Sequence, residues 1–289
     1  MTGENDAPPL LPGRSDDAHK YACGRVLVVA GSVGMLGAGA LASRAAFRSG
    51  VGLVNWAVPR SLVGTASMAC LEAIVLPVPE TEGGAPSMDA REHLVEAARE
   101  AHAALIGPGL PAAGETGELI RLDVPEFHAP LVVDAGALSA IGPDGINIFG
   151  KRRAPTVITP HEGEMARLTG QSVESIHAAR VDTAKAYAAQ TGAVVVLKGR
   201  GTVVTDGART WINPTGNPGM ATAGAGDVLA GVILALLGQK MDPYGAARLA
   251  AWLHGRAGDL ARARVGMHGL MASDILAHLP AAFLERGGA

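Results

Sequence analysis

The chain has 289 residues, enough for one large α/β domain or two small ones. Hydrophobic residues make up 48% and charged residues 18% of the chain, a balance typical of a soluble globular protein with a large buried sheet. A net charge of -3 without a basic stripe, and only 3% aromatic residues, argue against nucleic-acid binding, which depends on clustered Lys and Arg and on stacking side chains.

The apolar runs and the N-terminus bear on location and domain organisation. The longest apolar run, Val228–Leu237, is far shorter than the ~20 residues that cross a bilayer, and the N-terminus has no basic-then-apolar signal pattern. We therefore expect a cytoplasmic protein with no membrane partner. Residues 1–17 are rich in Pro, Gly and charge and predict a mobile tail, whereas residues 18–289 contain no linker and predict a single domain.

After this tail, candidate strands alternate with candidate helices, which is typical of a mostly parallel sheet covered by helices on both faces. Asp206-Gly207 lies between two short strands and predicts a hairpin, so the sheet should end in antiparallel strands. The predicted strands are Arg25–Ala30, Leu53–Val58, Ala103–Ile106, Leu131–Asp134, Thr156–Thr159, Val194–Leu197, Thr202–Thr205 and Thr210–Ile212.

The segment Asn213–Leu237 begins as a loop rich in Gly, Pro and Asn and continues as an apolar helix. Its glycines let the backbone approach a ligand closely, and the first helical turn leaves amide N–H groups without intrahelical partners. Those amides and the helix dipole favour an anion, most often phosphate. The segment therefore predicts an anion site at Gly224–Asp227.

Asp227 places a carboxylate at this anion site, and two interpretations stay open. As a general base, it would take a proton from a hydroxyl that is about to be phosphorylated, a task for which the repulsion is tolerated. As a helix cap, it would only bind backbone amides, since Asp is a preferred residue at helix starts.

Two further strands run into glycine loops. The segment Val26–Gly50 lacks the third glycine of a dinucleotide site, and Ala40 stands where a Walker loop needs lysine. Because ligands bind at the C-terminal edge of open α/β sheets, we expect Ala38 and the turn Gly107-Pro108-Gly109 to be walls of a crevice. Close helix packing is the alternative for the first loop.

Polar residues follow two later strands. Lys198 emerges from the apolar strand Val194–Leu197, so we predict that it binds phosphate, for which a compact cation on a flexible stem is suited. His161 follows Pro160 at a helix start and is either a ligand-binding residue or a hydrogen-bonded loop histidine. Glu164 is a candidate to orient a metal-bound water, since Mg²⁺ at nucleotide sites keeps several waters.

Five motifs, in this order, resemble those of the ADP/ATP-dependent NAD(P)H-hydrate dehydratase family, in the ribokinase-like superfamily. The resemblance extends from about residue 20 to about residue 279. The motifs are GSVGMLGAGA at 31–40, IGPGL at 106–110, TPHEGEM at 159–165, LKGRGT at 197–202 and NPTGNPGMATAGAGD at 213–227.

The resemblance implies a ribokinase-like three-layer sandwich that repairs NADHX and NADPHX, the hydrated forms of the reduced nicotinamide cofactors. ADP or ATP, with Mg²⁺, would phosphorylate the ring hydroxyl of the S form, and loss of phosphate would restore NADH or NADPH. Asp227 would be the base. The implied nucleotide-binding residues are Lys198, Gly199, Arg200, Gly201, Thr202, Gly224, Ala225 and Gly226. The implied substrate-binding residues are Ala38, Gly107, His161, Asn217 and Asp227.

The chain also departs from the pattern of this family. Leu36 stands where relatives often carry proline, and Gly136 replaces a more usual Asp, so we expect one carboxylate fewer near the crevice. No segment fits the epimerase domain that is often fused in this family, so we expect a separate epimerase, and the resemblance implies a homo-oligomer, a tetramer. The main alternative is a small-molecule kinase of the same superfamily that acts on a vitamin-precursor alcohol; the other is a silent nucleotide-binding protein.

Overall fold

The structure is a computed structural model that describes residues 7–287. Short apolar runs rich in Val form most strands, as expected for strands buried on both faces. The strands in chain order are β1 (Arg25–Val29), β2 (Leu53–Pro59), β3 (Ile74–Val78), β4 (Ala103–Ile106), β5 (Leu131–Val133), β6 (Thr156–Ile158), β7 (Val194–Leu197), β8 (Val203–Thr205) and β9 (Thr210–Ile212).

Helices connect most of these strands. In chain order they are α1 (Leu36–Arg48), α2 (Val63–Ala69), α3 (Arg91–Arg99), α4 (Gly114–Glu126), α5 (Gly136–Ile141), α6 (Gly145–Gly150), α7 (Glu162–Thr169), α8 (Val173–Ala178), α9 (Arg180–Thr191), α10 (Ala225–Gly238), α11 (Pro243–Val265) and α12 (Ala272–Glu285). Short 3-10 helices lie at Arg60–Leu62, Met88–Ala90, Gly142–Asp144 and Pro218–Met220.

Within residues 7–287, nine strands form one sheet in the order β3-β2-β1-β4-β5-β6-β7-β8-β9. Strands β1 to β7 pair in parallel, so their carboxyl ends lie at one edge, whereas β8 and β9 add antiparallel. The order reverses at β1, which lies between β2 and β4, and open α/β sheets bind ligands at such a switch point. The mostly parallel sheet and its antiparallel hairpin confirm the prediction.

Alternate side chains of the central strands enter two separate cores, one on each face of the sheet. In β1, Val26 and Val28 enter the core that α1, α2, α10, α11 and α12 cover, whereas Leu27 and Val29 enter the core that α3 to α9 cover. Helix α10 is apolar almost all round because it is packed between the sheet and its neighbouring helices. The predicted three-layer sandwich is therefore confirmed.

Strand β3 is the element that sequence prediction misses. It contains Pro77, and Ile74 is exposed, whereas prolines within a run count against a strand interior. Because β3 is at the edge of the sheet, it pairs only with β2, and an edge strand tolerates a proline that has no N–H to donate. Strand ends elsewhere shift by a residue, as at β1, which ends at Val29 rather than at Ala30.

The predicted mobile tail lies partly outside the described residues, which begin at residue 7. Residues 7–17 form no helix or strand, and the carbonyls of Ala7 and Pro8 accept hydrogen bonds from Arg248 and Arg286. The mobility of residues 1–17 and the assignment of residues 18–289 to one domain stay predictions. Among the described helices, none combines the length and the apolar character needed to span a membrane.

Candidate functional site

Four strand ends bring functional residues to one edge of the sheet. Because β4 to β7 are parallel neighbours, the residues that follow them lie side by side. These residues are Gly107, Asp134, Thr159–His161 and Lys198. The start of α10 approaches the same place, since a Cβ atom on Gly226 would lie 3.3 Å from Lys198 Nζ and 3.9 Å from Asp134 Oδ2. The structure therefore brings the predicted phosphate-binding lysine and the predicted anion site together.

The Lys198 ammonium lies among carboxylates. Its Nζ donates a hydrogen bond to Oδ1 of Asp134 at 2.8 Å and lies 3.7 Å from Oε2 of Glu164. Asp134 is buried, and its Oδ1 also accepts a hydrogen bond of 2.7 Å from the Thr159 hydroxyl. Burial lowers the pKa of Lys198, but the surrounding carboxylates, Asp134 first, raise this pKa above its ordinary value. The side chain is therefore held as a cation.

Asp227 lies in the first turn of α10 but does not cap this helix. The N-cap is Gly224, which has a left-handed φ of 88°, and a Cβ atom there would lie 2.6 Å from Leu41 Cδ1. No side chain caps this helix start, so the capping interpretation of Asp227 is wrong. Burial and the Asp134 carboxylate raise the pKa of Asp227 to about 7, and Lys198 lowers it by less. A carboxylate with this pKa is suited to accept a proton near pH 7.

His161 and Glu164 form a capping box at the start of α7. Nδ1 of His161 accepts hydrogen bonds from the amides of Gly163 at 3.0 Å and Glu164 at 3.2 Å, and Oε2 of Glu164 accepts one from the His161 amide at 2.8 Å. Because Nδ1 is an acceptor, the proton of the neutral ring is on Nε2. The hydrogen-bonded loop histidine is therefore present. Its side chain is also 54% exposed, so a ligand can reach the ring.

Glu164 is the predicted metal residue, and the capping box already uses one of its oxygens. Burial, more than any other cause, raises the pKa of its carboxyl group. No group of three or more His, Cys, Asp or Glu side chains in residues 7–287 could hold a metal ion. Mg²⁺ needs only one or two carboxylates when nucleotide phosphates and waters supply its other ligands. The donors thus fit a Mg²⁺ that arrives with a nucleotide, not one that the protein holds alone.

A cleft with a volume of about 1240 Å³ lies between Lys198, the start of α10 and α11. It is large enough for a nucleotide, since small-molecule pockets are typically about 300–1,000 Å³. The predicted residues that line it are Lys198, Gly199, Arg200, Gly201, Thr202, Asn217, Ala225 and Gly226. The predicted residues Ala38, Gly107, His161, Gly224 and Asp227 are not among its lining residues. The structure thus gathers most of the predicted nucleotide residues, and Asn217 lies with them rather than with the other predicted substrate residues.

The loop of residues 213–222 forms one wall of this cleft and is attached to α11. Nδ2 of Asn217 donates a hydrogen bond to Oδ1 of Asp259 at 2.9 Å, and Oδ1 of Asn217 accepts one from the Gly219 amide at 3.1 Å. Asn213 donates to the Ala251 carbonyl at 2.9 Å. The side-chain amides of Asn213 and Asn217 therefore fix the conformation of the loop, and Asn217 shapes the cleft by holding this wall in place.

Ala38 and Gly107 lie at the switch point between β1 and β4. A Cβ atom on Gly109 would lie 3.2 Å from Cβ of Ala38, so the two glycine loops touch. Gly107 has a φ of 126°, and a Cβ atom there would lie 1.9 Å from the carbonyl oxygen of Asp134. The backbone itself therefore requires glycine at position 107. A substitution by a larger residue would disturb the fold, whatever its effect on ligand binding.

The absence of an aspartate at position 136 has a steric explanation. A Cβ atom on Gly136 would lie 2.0 Å from the carbonyl oxygen of Leu110, so no side chain fits on this backbone. Asp134, two residues earlier, is buried and is the carboxylate that this segment contributes to the site. Between them, Ala135 has a φ of 50°, an unusual value for a residue other than glycine and a form of strain that is often found at functional sites.

Two residues of the site escape sequence prediction. The pairing of Asp134 with Lys198 joins positions 64 residues apart, and no local pattern records it. His254 of α11 lines the cleft, burial lowers its pKa to about 4, and its Nε2 has no hydrogen-bond partner in the described part of the chain. The sequence offers no distinct signal for His254, because α11 carries several other polar residues, such as Arg248 and Arg256.

The class of protein follows from the fold and the site. A solved structure of a ribokinase-like superfamily protein from Enterococcus faecalis V583 matches with a TM-score of 0.79 at 25% identity, and the match covers 96% of this chain and 92% of that one. The fold is therefore ribokinase-like. The family model for NAD(P)H-hydrate dehydratase matches residues 26–281. The chain belongs to the NAD(P)H-hydrate dehydratase family.

Individual relatives agree with this assignment. The bifunctional NAD(P)H-hydrate repair enzyme Nnr of Moorella thermoacetica is 46% identical over 272 residues, which cover 93% of this chain and 51% of the relative. The ADP-dependent (S)-NAD(P)H-hydrate dehydratase of Bacillus subtilis is 37% identical over 283 residues, which cover 96% of this chain and 95% of the relative. The crystal structure of ADP/ATP-dependent NAD(P)H-hydrate dehydratase from Bacillus subtilis, co-crystallized with ATP/Mg²⁺, has a TM-score of 0.84 at 33% identity, with 96% and 95% covered. The chain spans about half the length of the bifunctional relatives that it matches.

The raised pKa of Asp227 predicts that its charged form costs stability. The folded-state pKa of about 7 lies above the unfolded value of about 3.9, so the native protein holds an extra proton between them and stability falls as pH rises through that window. We expect Asp227→Asn to raise the free energy of unfolding by roughly 1–3 kcal/mol at pH 8, discounted for partial exposure, and by much less at pH 4.5. Urea unfolding at both pH values measures this, with the exposed Asp16→Asn as the control. An equal effect of Asp227→Asn at both pH values would contradict the raised pKa.

Proposed function

We propose that this protein uses ADP or ATP to dehydrate the S forms of NADHX and NADPHX to NADH and NADPH. The observation that carries the proposal is the position of Asp227, a carboxylate with a pKa near 7 in the first turn of α10, next to the Lys198 cleft. Membership of the NAD(P)H-hydrate dehydratase family and the named activity of the Bacillus subtilis relative support the choice of reaction.

The chemistry explains why a nucleotide is needed. The ring hydroxyl must leave, but hydroxide is a poor leaving group. Asp227 accepts the hydroxyl proton while the oxygen attacks the terminal phosphorus of the nucleotide, and the bond from that phosphorus to the rest of the nucleotide breaks. The ring nitrogen's lone pair then expels phosphate, and loss of a proton from the neighbouring ring carbon restores the dihydronicotinamide. The net reaction is that of a hydro-lyase, with one nucleotide consumed for each cofactor repaired.

Backbone amides and one cation provide the electrostatic part of this proposal. The first amides of α10, those of Gly226 and Asp227, have no intrahelical acceptor, because a helix start leaves its first N–H groups free. These amides, with the Lys198 ammonium beside Gly226, face the charge that develops on the transferred phosphoryl group. Residues 198–202 then bind the nucleotide, while the hydrated cofactor lies toward Ala38, Gly107 and His161, which are outside the nucleotide cleft.

Mg²⁺ completes the nucleotide site in this proposal. When bound, it neutralises charge on the nucleotide phosphates. Asp134 and Glu164, which flank Lys198, are the residues that would hold its water shell, and Lys198 keeps both carboxylates in place.

Three further predictions belong to the same proposal. The cytoplasm contains NADH and NADPH, so we expect their repair to take place there. A separate epimerase supplies the S form, and the chain assembles as a tetramer. The epimerase and the tetramer are supported by the family resemblance of the sequence alone.

The activity is tested by adding the purified chain to hydrated NADH or NADPH with Mg²⁺ and either ADP or ATP, and following the return of the dihydronicotinamide absorbance. We expect this return to require a nucleotide and to consume one nucleotide for each cofactor restored. Recovery without any nucleotide would contradict the proposal. A phosphorylated alcohol that accumulates while the absorbance stays unchanged would favour the small-molecule kinase instead.

The role of Asp227 is tested by Asp227→Asn, which keeps the shape of the side chain but cannot accept the proton. We expect the single-turnover rate to fall by roughly 10²–10⁴-fold, the usual contribution of a positioned base. Nucleotide affinity, measured by calorimetry, should persist or increase, because the substitution removes a negative charge near the phosphates. Asp16→Asn, in the exposed N-terminal segment, serves again as the control. If the Asn variant keeps more than about a tenth of the rate, Asp227 is not the base.

A further inference from the structure

Arg180, the first residue of α9, holds the loop of residues 198–202, which we call the nucleotide loop. Its guanidinium donates three hydrogen bonds to backbone carbonyls: Nη1 to Arg200 at 2.7 Å, and Nη2 to Leu197 at 3.1 Å and to Lys198 at 3.2 Å. The Arg180 side chain is 15% exposed and does not line the cleft. It therefore contacts the nucleotide loop from outside the cleft.

The hydrogen bonds of this loop leave three successive amides free, although the Lys198 amide donates to the Pro160 carbonyl at 2.8 Å. Arg180 occupies three carbonyls, and that of Gly199 accepts a hydrogen bond from the Thr202 hydroxyl at 3.0 Å. Within residues 7–287, the amides of Gly199, Arg200 and Gly201 donate to no protein acceptor. Successive free amides form concave sites that bind anions. With these carbonyls held and these three amides free, the loop is arranged in advance for phosphate oxygens.

Gly199 is the point of closest approach between Arg180 and the nucleotide loop. A Cβ atom on Gly199 would lie 2.8 Å from Nη2 and 3.1 Å from Cζ of Arg180. Its φ of 143° also favours glycine. The glycine that follows Lys198 is therefore explained first by its backbone conformation, and it also leaves room for the Arg180 guanidinium.

The guanidinium also reaches the start of α7. Nε of Arg180 lies 3.4 Å from Oε1 of Glu162, which also lies 3.1 Å from Nδ1 of His177. Glu162 directly follows His161, the predicted substrate residue. One guanidinium therefore connects the nucleotide loop to the helix start that carries the other half of the site.

We infer that Arg180 is a positioning residue that fixes the nucleotide loop in its phosphate-binding conformation and ties it to α7 through Glu162. The inference rests on the proposed nucleotide-dependent function. Arg180 acts through the carbonyls of Leu197, Lys198 and Arg200, so it influences nucleotide affinity without touching the nucleotide.

The test compares nucleotide binding by calorimetry, with ADP and with ATP in the presence of Mg²⁺, for the wild type, Arg180→Gln and Arg180→Lys. We expect Arg180→Gln to raise the Kd by roughly 10- to 100-fold, the scale of losing hydrogen bonds to a charged group. Lys keeps the charge but lacks the planar fork, so Arg180→Lys should restore only part of the affinity. Arg209→Gln is the matched control, because Arg209 pairs with Asp206 at 2.7 Å on the β8–β9 hairpin and does not line the cleft.

Kinetics separate positioning from mere folding. The KM for nucleotide should rise in parallel with the Kd, while the single-turnover rate at saturating nucleotide stays within about threefold of the wild type. A lowered Tm with an unchanged Kd for the folded variant would overturn the inference and leave the proposed function intact. If Arg180→Gln does not fold, Arg180→Lys decides, and a Kd equal to that of the wild type overturns the inference. A wild type that binds no nucleotide would contradict the proposed function itself.

The connection through Glu162 is tested by a double-mutant cycle. Glu162→Gln should weaken nucleotide binding less than Arg180→Gln does, because the carboxylate acts only by orienting the guanidinium. The double variant should bind no more weakly than Arg180→Gln alone. Additive effects of the two substitutions would overturn the link between the nucleotide loop and α7.

Discussion

The ion pair between Lys198 and Asp134 is the interaction on which the rest of the site depends. Burying two charges is costly unless further hydrogen bonds satisfy them, and here the Thr159 hydroxyl binds Asp134 while Glu164 flanks Lys198. Their elements, the ends of β5, β6 and β7 and the start of α7, meet because the strands are parallel neighbours. The single Lys198 ammonium then interacts with three carboxylates, those of Asp134, Glu164 and Asp227. Asp227 accepts no hydrogen bond within residues 7–287, and burial, followed by the Asp134 carboxylate, raises its pKa to about 7 although Lys198 lowers it.

Space is the second constraint, and it explains residues that look like ligand contacts in the sequence. Gly107 and Gly136 both lie against backbone carbonyls that any Cβ atom would strike, so they let the segments after β4 and β5 pack closely together. Gly224 has a left-handed backbone at the start of α10 and faces Leu41. These glycines allow the close backbone packing that positions the charged groups. They fix the position of Asp134 and of the first amides of α10, and the predicted contacts of Gly107 and Gly224 with ligands stay predictions.

Sequence reasoning predicts the features that are encoded locally. Apolar runs of the right length mark the buried parallel strands, and the change from glycine loop to apolar helix marks the anion site before Asp227. The edge strand β3 is missed because an exposed strand that contains Pro77 lacks that pattern. The nucleotide loop was predicted, but the arginine that holds it was not, because Arg180 looks like any polar residue at a helix start. The Lys198–Asp134 pair likewise depends on strand order, which single residues do not record.

The central claim is that burial, together with the neighbouring Asp134 carboxylate, raises the pKa of Asp227 so that it can accept a proton near pH 7. The most direct test is a carbon-13 NMR titration of the Asp227 carboxyl carbon in the wild type and in Asp134→Asn. The account predicts a wild-type midpoint near pH 7, since burial and Asp134 raise this pKa more than Lys198 lowers it. It also predicts a lower midpoint in Asp134→Asn, because the neighbouring negative charge is gone while Lys198 remains. A midpoint near pH 4 in both proteins would contradict it, since Asp227 would then be an ordinary ionised acid.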